Sequence, residues 1–303
     1  EEQIKALEEK VASMFGMEAA LFCPSGTMAN QIAIKVHTQA GDEVICDYTS
    51  HVYQYEGGGI AFNSSASVKL LHGDRGKLSV NLIEAALREE NVHYPRTSLV
   101  SVENTTNKGG GACYDIKTLE ELSVFCKSKK LNFHMDGARL FHAMVYTNTK
   151  PIDYGPLFDS ISVCMSKGLG APVGSLLLGT KAFIHKAKRV RKVLGGGMRQ
   201  VGYLAAACNY AIDNHVSLLK DDHRRAKEIE SVLSSLDYVF EVIPVETNIL
   251  IFVLDDPTRL VDYLETKNIY CSAVSQNQIR FVTHFQFDDE MLEKLKEALI
   301  AYS

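Results

Sequence analysis

The chain of 303 residues lacks any apolar run approaching the roughly 20 residues that span a bilayer, and no secretory leader is visible. A cytoplasmic protein without membrane contact is expected. It also lacks a long block of Lys and Arg: with a net charge of -5 and a pI near 6.1 it has no electrostatic footprint for nucleic acid. The one basic cluster, KAKRVRK at 186–192, reads at first as a solvated helix face. No CxxC, HExxH or EF-hand spacing occurs, so no metal is expected. Internal repeats, low-complexity segments and Pro-rich linkers are missing as well.

What is present is an ordinary globular composition, 46% hydrophobic and 23% charged, in a chain long enough for one large domain with a smaller companion. The seven cysteines sit mostly in apolar segments such as VICD and SVCM and read as buried free thiols in a reducing compartment. The chain opens on EEQIKALEEKVASMFG, whose Ile4, Leu7, Val11 and Phe15 recur at helical spacing without a run-in. A preceding N-terminal segment is therefore expected.

Short apolar runs alternate with helical stretches from AALFC (19–23) to GSLLLG (174–179), which predicts an α/β fold on a mostly parallel sheet. GSLLLG follows SISVCM too closely for a helical crossover and is expected to be antiparallel. From about residue 216 the pattern changes to a charged helix, strands at YVFEVIP, TNILIFVL and QIRFVTHF, and further helices. The expected division is a large α/β domain at 1–215 and a small C-terminal α+β domain at 216–303.

Ligands of open α/β sheets bind beyond the carboxyl ends of the strands, so the residues following each strand carry the interest. After AALFC, Ser25, Gly26 and Thr27 open a helix and offer N–H groups to an anion, although an ordinary N-cap would look the same. After LNFHM comes Asp136, which needs a partner to stay ionised, with Arg139 available three residues on. SISVCM leads to Lys167, either on an exposed turn or desolvated and nucleophilic. GLGAPVG after it does not fit a dinucleotide fingerprint. EVICD leads to His51, Tyr55 and Glu56 beside three glycines, where a loop histidine could equally be surface decoration. In combination, an anion cradle, a flat ring, a strand-end aspartate and a strand-end lysine are the equipment that pyridoxal phosphate requires.

The motifs PSGTMAN, SHVYQYEGGG, HYPRTSLVSVENTTNKGG, HMDGARLFHA, SKGLGAPVGSLLLG, RKVLGGGMRQ, ETNI and IRFVTHF run nearly end to end. In them the chain resembles the fold-type-I pyridoxal-phosphate enzymes, and most closely the low-specificity L-threonine aldolases of the aromatic amino acid β-eliminating lyase and threonine aldolase group. That resemblance implies retro-aldol cleavage of L-threonine, L-allo-threonine and other L-β-hydroxy-α-amino acids to glycine and an aldehyde. It implies Lys167 as the Schiff-base lysine, Asp136 as the pyridinium partner, His51 as the ring stacked on the cofactor, and Ser25, Gly26 and Thr27 at the phosphate, with Glu56 beside them. Lys192 and Arg199 match positions used near the phosphate, partly across a subunit interface, which revises the solvated-helix reading of the basic cluster. Arg139 and Arg280 match the arginines that hold the substrate carboxylate, and His93 matches a second histidine near the substrate hydroxyl. A homotetramer built from two dimers is implied too.

Two departures stand out: Thr106 occupies the place of the family's usual histidine, and the family's N-terminal segment has no counterpart among these residues. A β-eliminating or racemising relative with the same cofactor is the nearest alternative, and a non-catalytic protein of the same fold the more distant one.

Overall fold

The computed structural model describes residues 1–302. Its first sheet contains β1 (Ala19–Cys23), β2 (Glu43–Asp47), β3 (Ser67–Leu71), β4 (Thr97–Glu103), β5 (Asn132–Gly137), β6 (Ser160–Cys164) and β7 (Ser175–Gly179), in the order β1-β7-β6-β5-β4-β2-β3. From β3 across to β6 all neighbours are parallel, whereas β7 is antiparallel to both β6 and β1. A parallel return needs a crossover of about a dozen residues or more. Residues 165–174 between β6 and β7 are too few, so the expected antiparallel strand results. β2, β6 and β7 are buried at every position, which explains their apolar centres VIC, ISVC and LLL, with Ser162 the one polar residue inside them.

Helices cover both faces. In chain order they are α1 (Glu2–Phe15), α2 (Gly26–His37), α3 (His51–Gln54), α4 (Gly59–Ser64), α5 (Val80–Ala86), α6 (Ile116–Ser128) and α7 (Leu140–Thr147). There follow α8 (Pro151–Tyr154), α9 (Lys181–Val193), α10 (Gly202–His215), α11 (Leu219–Leu233), α12 (Pro257–Glu265) and α13 (Asp289–Ala301). α1 presents Leu7, Val11 and Phe15 to the core, as its spacing predicts, and ends at Gly16 in the left-handed region (φ 63°). α2 is different: its buried face includes two polar residues, Asn30 and Gln31, which must find partners inside.

A second sheet is antiparallel throughout, with β8 (Glu241–Val242), β9 (Ile249–Val253), β10 (Ser272–Ser275) and β11 (Gln278–Val282) in the order β10-β11-β9-β8. Its core joins Phe252 and Phe281 to Leu233, Leu260 and Leu299 of α11, α12 and α13. Only two residues of the expected YVFEVIP strand pair, and the short β10 has no apolar run to announce it. The two sheets are tied by Arg75, whose Nη1 lies 2.5 Å from Glu246 Oε1, and by Thr247 Oγ1 donating to the Gly111 carbonyl at 2.9 Å.

Candidate active site

Because β1 is antiparallel to β7 and β7 to β6, the carboxyl ends of β1, β5 and β6 share one edge. A cleft of about 270 Å³ opens there, lined among others by Ser25, Gly26, Thr27, His51, Asp136 and Lys167. Ser25 caps α2 by accepting from Met28 N at 3.1 Å. Gly26 is needed for close approach, since a Cβ there would lie 2.6 Å from Cys164 Sγ at the end of β6. Lys167 follows β6 in a tight turn in which Gly170 N donates to its carbonyl at 2.8 Å. The lysine is half-buried, so it is neither on a free surface turn nor sealed in the interior.

The strand-end carboxylate of the cleft is held by neutral donors. Asp136 accepts from Ala138 N at 3.0 Å and from Asn30 Nδ2 at 2.8 Å; it forms no ion pair with Arg139. Asn30 Nδ2 also reaches Glu56 Oε1 at 2.9 Å, and Gln31 Nε2 donates to Glu56 Oε2 at 2.6 Å. The two buried polar residues of α2 thus find their partners. His51 Nδ1 sits 2.9 Å from Glu56 Oε1, and that hydrogen bond raises the imidazole above its ordinary pKa against the opposing effect of burial. Ligand atoms of His51, Glu56 and Asp136 lie within 4.8 Å of one another, but the carboxylates already accept from Asn30, Gln31 and Ala138.

Beside this group, Arg280 Nη1 and Arg139 Nη1 converge on Asn107 Oδ1 at 3.0 and 3.5 Å. Neither has a carboxylate partner among the described residues, so two neighbouring cations are held on one neutral oxygen. Burial lowers the Arg139 pKa below its ordinary value, opposed by the charge of Glu103. Glu103 itself accepts from Asn107 N at 2.9 Å and His51 N at 3.0 Å, linking the arginine pair to the histidine loop.

Three expected residues are not brought to the cleft. His93 is exposed and precedes β4, the strand whose far end carries Glu103, so it stands at the opposite edge of the sheet. Seven residues of strand separate the two ends, about 20 Å at 3.3 Å per residue. Within one chain His93 and Lys167 therefore stand apart, and His93 does not line the cleft. Lys192 and Arg199 are exposed and outside the cleft, while Arg191 of the same basic cluster turns inward and donates to the Phe22 carbonyl at 2.6 Å. Thr106, in place of the family's histidine, is buried and bridges backbone to backbone with Ala112. Sequence reasoning missed Asn30, Glu103 and Asn107. Glu103 had one available signal, its position at the end of a strand like Asp136, and the two pair directly in the sheet.

The family model for beta-eliminating lyases matches residues 1–257. The chain belongs to the beta-eliminating lyase family. It is 39% identical over 292 residues to low-specificity L-threonine aldolase 1 of Arabidopsis thaliana, spanning 93% of this chain and 82% of that one. With the low specificity L-threonine aldolase of Escherichia coli K12 it shares 35% over 295 residues, 96% of this chain and 86% of the relative. In fold it is similar to a Leishmania major threonine aldolase, with a TM-score of 0.86, 22% identity and coverage of 99% and 88%. Beta-eliminating lyases and threonine aldolases depend on pyridoxal phosphate, and this chain is an enzyme of that kind. The cleft fits the cofactor: a glycine cradle at a helix N-terminus, a strand-end carboxylate held without a cation, a ring and a half-buried lysine face one space.

Proposed function

We propose that the protein cleaves L-threonine, L-allo-threonine and related L-β-hydroxy-α-amino acids into glycine and an aldehyde, with pyridoxal phosphate attached to Lys167. The observation that carries this is a pair of arginines without carboxylate partners, Arg139 and Arg280, beside a cleft that gathers Lys167, Asp136, His51 and the start of α2. Two relatives above 34% identity bear the name low-specificity L-threonine aldolase. When bound, the cofactor supplies an electron sink for the pair released as a bond to the substrate Cα breaks.

The chain's residues do the rest. N–H groups around Gly26 and Thr27 take the phosphate, and Asp136 holds the proton on the pyridine nitrogen. Arg139 and Arg280 would grip the substrate carboxylate through planar two-pronged hydrogen bonds, and fixing it would select which Cα bond is presented for cleavage. His51 keeps Nδ1 on Glu56, which leaves Nε2 free. His51 would stack on the cofactor and move the β-hydroxyl proton, a reading supported by its place in the cleft lining, which His93 does not share.

The same proposal includes a homotetramer built as a dimer of dimers, in which Lys192 and Arg199 serve the phosphate site of a neighbouring copy. The exposure of Val193 (85%) and Tyr203 (88%) close to them supports a covered face there. It includes the cytoplasm as compartment, in keeping with seven free cysteines, and a division into domains 1–215 and 216–303, in keeping with two separate sheets. Equal yields of acetaldehyde and glycine from L-threonine would support the assignment. Release of ammonia from L-serine or L-tyrosine with no acetaldehyde from threonine would replace it with β-elimination.

A further inference from the structure

Behind the cleft a line of polar side chains runs from half-buried His37 at the end of α2 to buried Asp136. His37 Nε2 and His134 Nδ1 each lie 2.8 Å from Ser160 Oγ. His134 Nε2 lies 3.2 Å from Asn30 Oδ1, and Asn30 Nδ2 lies 2.8 Å from Asp136 Oδ2. His134 and Ser160 are fully buried, and Asn30 is 1% exposed.

The direction of every bond follows from the Asn30 end. Its Nδ2 faces oxygens of two carboxylates, Asp136 and Glu56, and must be the donor; its Oδ1 must then accept, from Ser162 Oγ at 2.7 Å and from His134 Nε2. His134 therefore carries a proton on Nε2. Burial pushes its pKa down to about 4, which keeps the ring neutral and leaves Nδ1 as an acceptor. The single proton of Ser160 goes to that Nδ1, so its oxygen is left to accept from His37 Nε2. The reverse tautomer would set the lone pair of His134 Nε2 against that of Asn30 Oδ1 at 3.2 Å and waste a buried hydrogen bond.

We propose that His134 and Ser160 are positioning residues for Asp136: with His37 and Asn30 they form a one-way line of donors whose hydrogens all point toward its carboxylate. Aligned donors polarise one another, so the charge on Asp136 is supported without a cation that would neutralise it. The value of this to the enzyme rests on the proposed pairing of Asp136 with the pyridine nitrogen.

The first test is nitrogen NMR of the histidine rings in the purified holoenzyme, with His134 assigned through His134→Gln. The Nε2–H tautomer at neutral pH is expected; an Nδ1–H tautomer or a charged ring overturns the proposal. That measurement does not depend on what Asp136 does. Asp136→Asn tests the latter separately, and if it keeps cofactor affinity and the visible absorbance band, the pyridinium reading fails while the tautomer result stands. The second test compares Ser160→Ala with Ser123→Ala, which removes a similarly buried hydroxyl of α6 that donates to the Leu157 carbonyl. Ser160→Ala should weaken pyridoxal phosphate binding by roughly two- to tenfold and shift the pH titration of the visible band. Ser123→Ala should leave both unchanged. Equal effects from the two variants would reduce Ser160 to a structural role and overturn the proposal.

Discussion

The two ends of β4 and β5 carry clefts of opposite character. At the amino ends lies the larger, about 530 Å³, lined by Arg88, Glu89, Glu90, Lys129 and Lys130 among others. Beside it the carboxylate of Asp42 is gripped by Arg96 at 3.0 and 2.7 Å. Burial alone would raise the Asp42 carboxyl, but the hydrogen bonds from Arg96 and Gln39 outweigh it and hold the pKa below its ordinary value. At the carboxyl ends the cleft is half that size, about 270 Å³, and Asp136 is held by neutral amides. A carboxylate already paired with a cation has spent its charge, whereas one held by neutral donors keeps it for a ligand. Size favours the wrong end; the chemistry of the donors favours the right one.

The largest test of that contrast is Lys167→Ala, which should abolish the borohydride-sensitive visible band and with it threonine cleavage. Survival of the band would put the attachment elsewhere. Arg280→Lys keeps the charge but loses the planar fork, so KM for threonine should rise about tenfold or more while kcat changes less. An unchanged KM would separate the arginine pair from the substrate carboxylate. Gly26→Ala drives a Cβ toward Cys164 Sγ and should cost about 1–3 kcal/mol in a denaturant titration, together with cofactor affinity.

Glu103 sharpens the comparison by pH. Burial and the charge of Asp136 raise its pKa from 4.5 to about 7, so the folded state binds its proton more tightly than the unfolded chain does. Stability should therefore decline as pH rises from 4.5 to about 7, and Glu103→Gln should flatten that decline in the denaturation midpoint. The smallest effect belongs to the opposite edge: His93→Ala should leave kcat/KM within about twofold, as for an exposed site. A large loss would mean that His93 reaches the active site of another copy.

Much of the first sheet was legible because β2, β6 and β7 are buried on both faces and so carry apolar centres, VIC, ISVC and LLL, that do not alternate with charged residues. The antiparallel β7 was legible from the short loop before it. β8 and β10 were not, because strands of two and four residues with exposed positions carry no periodic signal. Lys167, Asp136, His51 and the Ser25 cap were visible because each follows an apolar strand, where an α/β sheet opens its ligand site. His93 also lay near a strand, but before it, and order along the chain places such a residue at the other edge.

The sequence by itself determined which residue types exist at the strand ends, and hence the cofactor class, because that chemistry needs a lysine, a carboxylate, a ring and an anion cradle in a recognisable chain order. Only the tertiary structure decided that Asn30, 106 residues from Asp136, holds its carboxylate, and that Asn107 gathers Arg139 and an arginine 173 residues beyond itself. Hydrogen bonds act over about 3 Å regardless of separation along the chain, and local patterns of hydrophobicity carry no record of which distant polar groups the packed sheets bring within that reach.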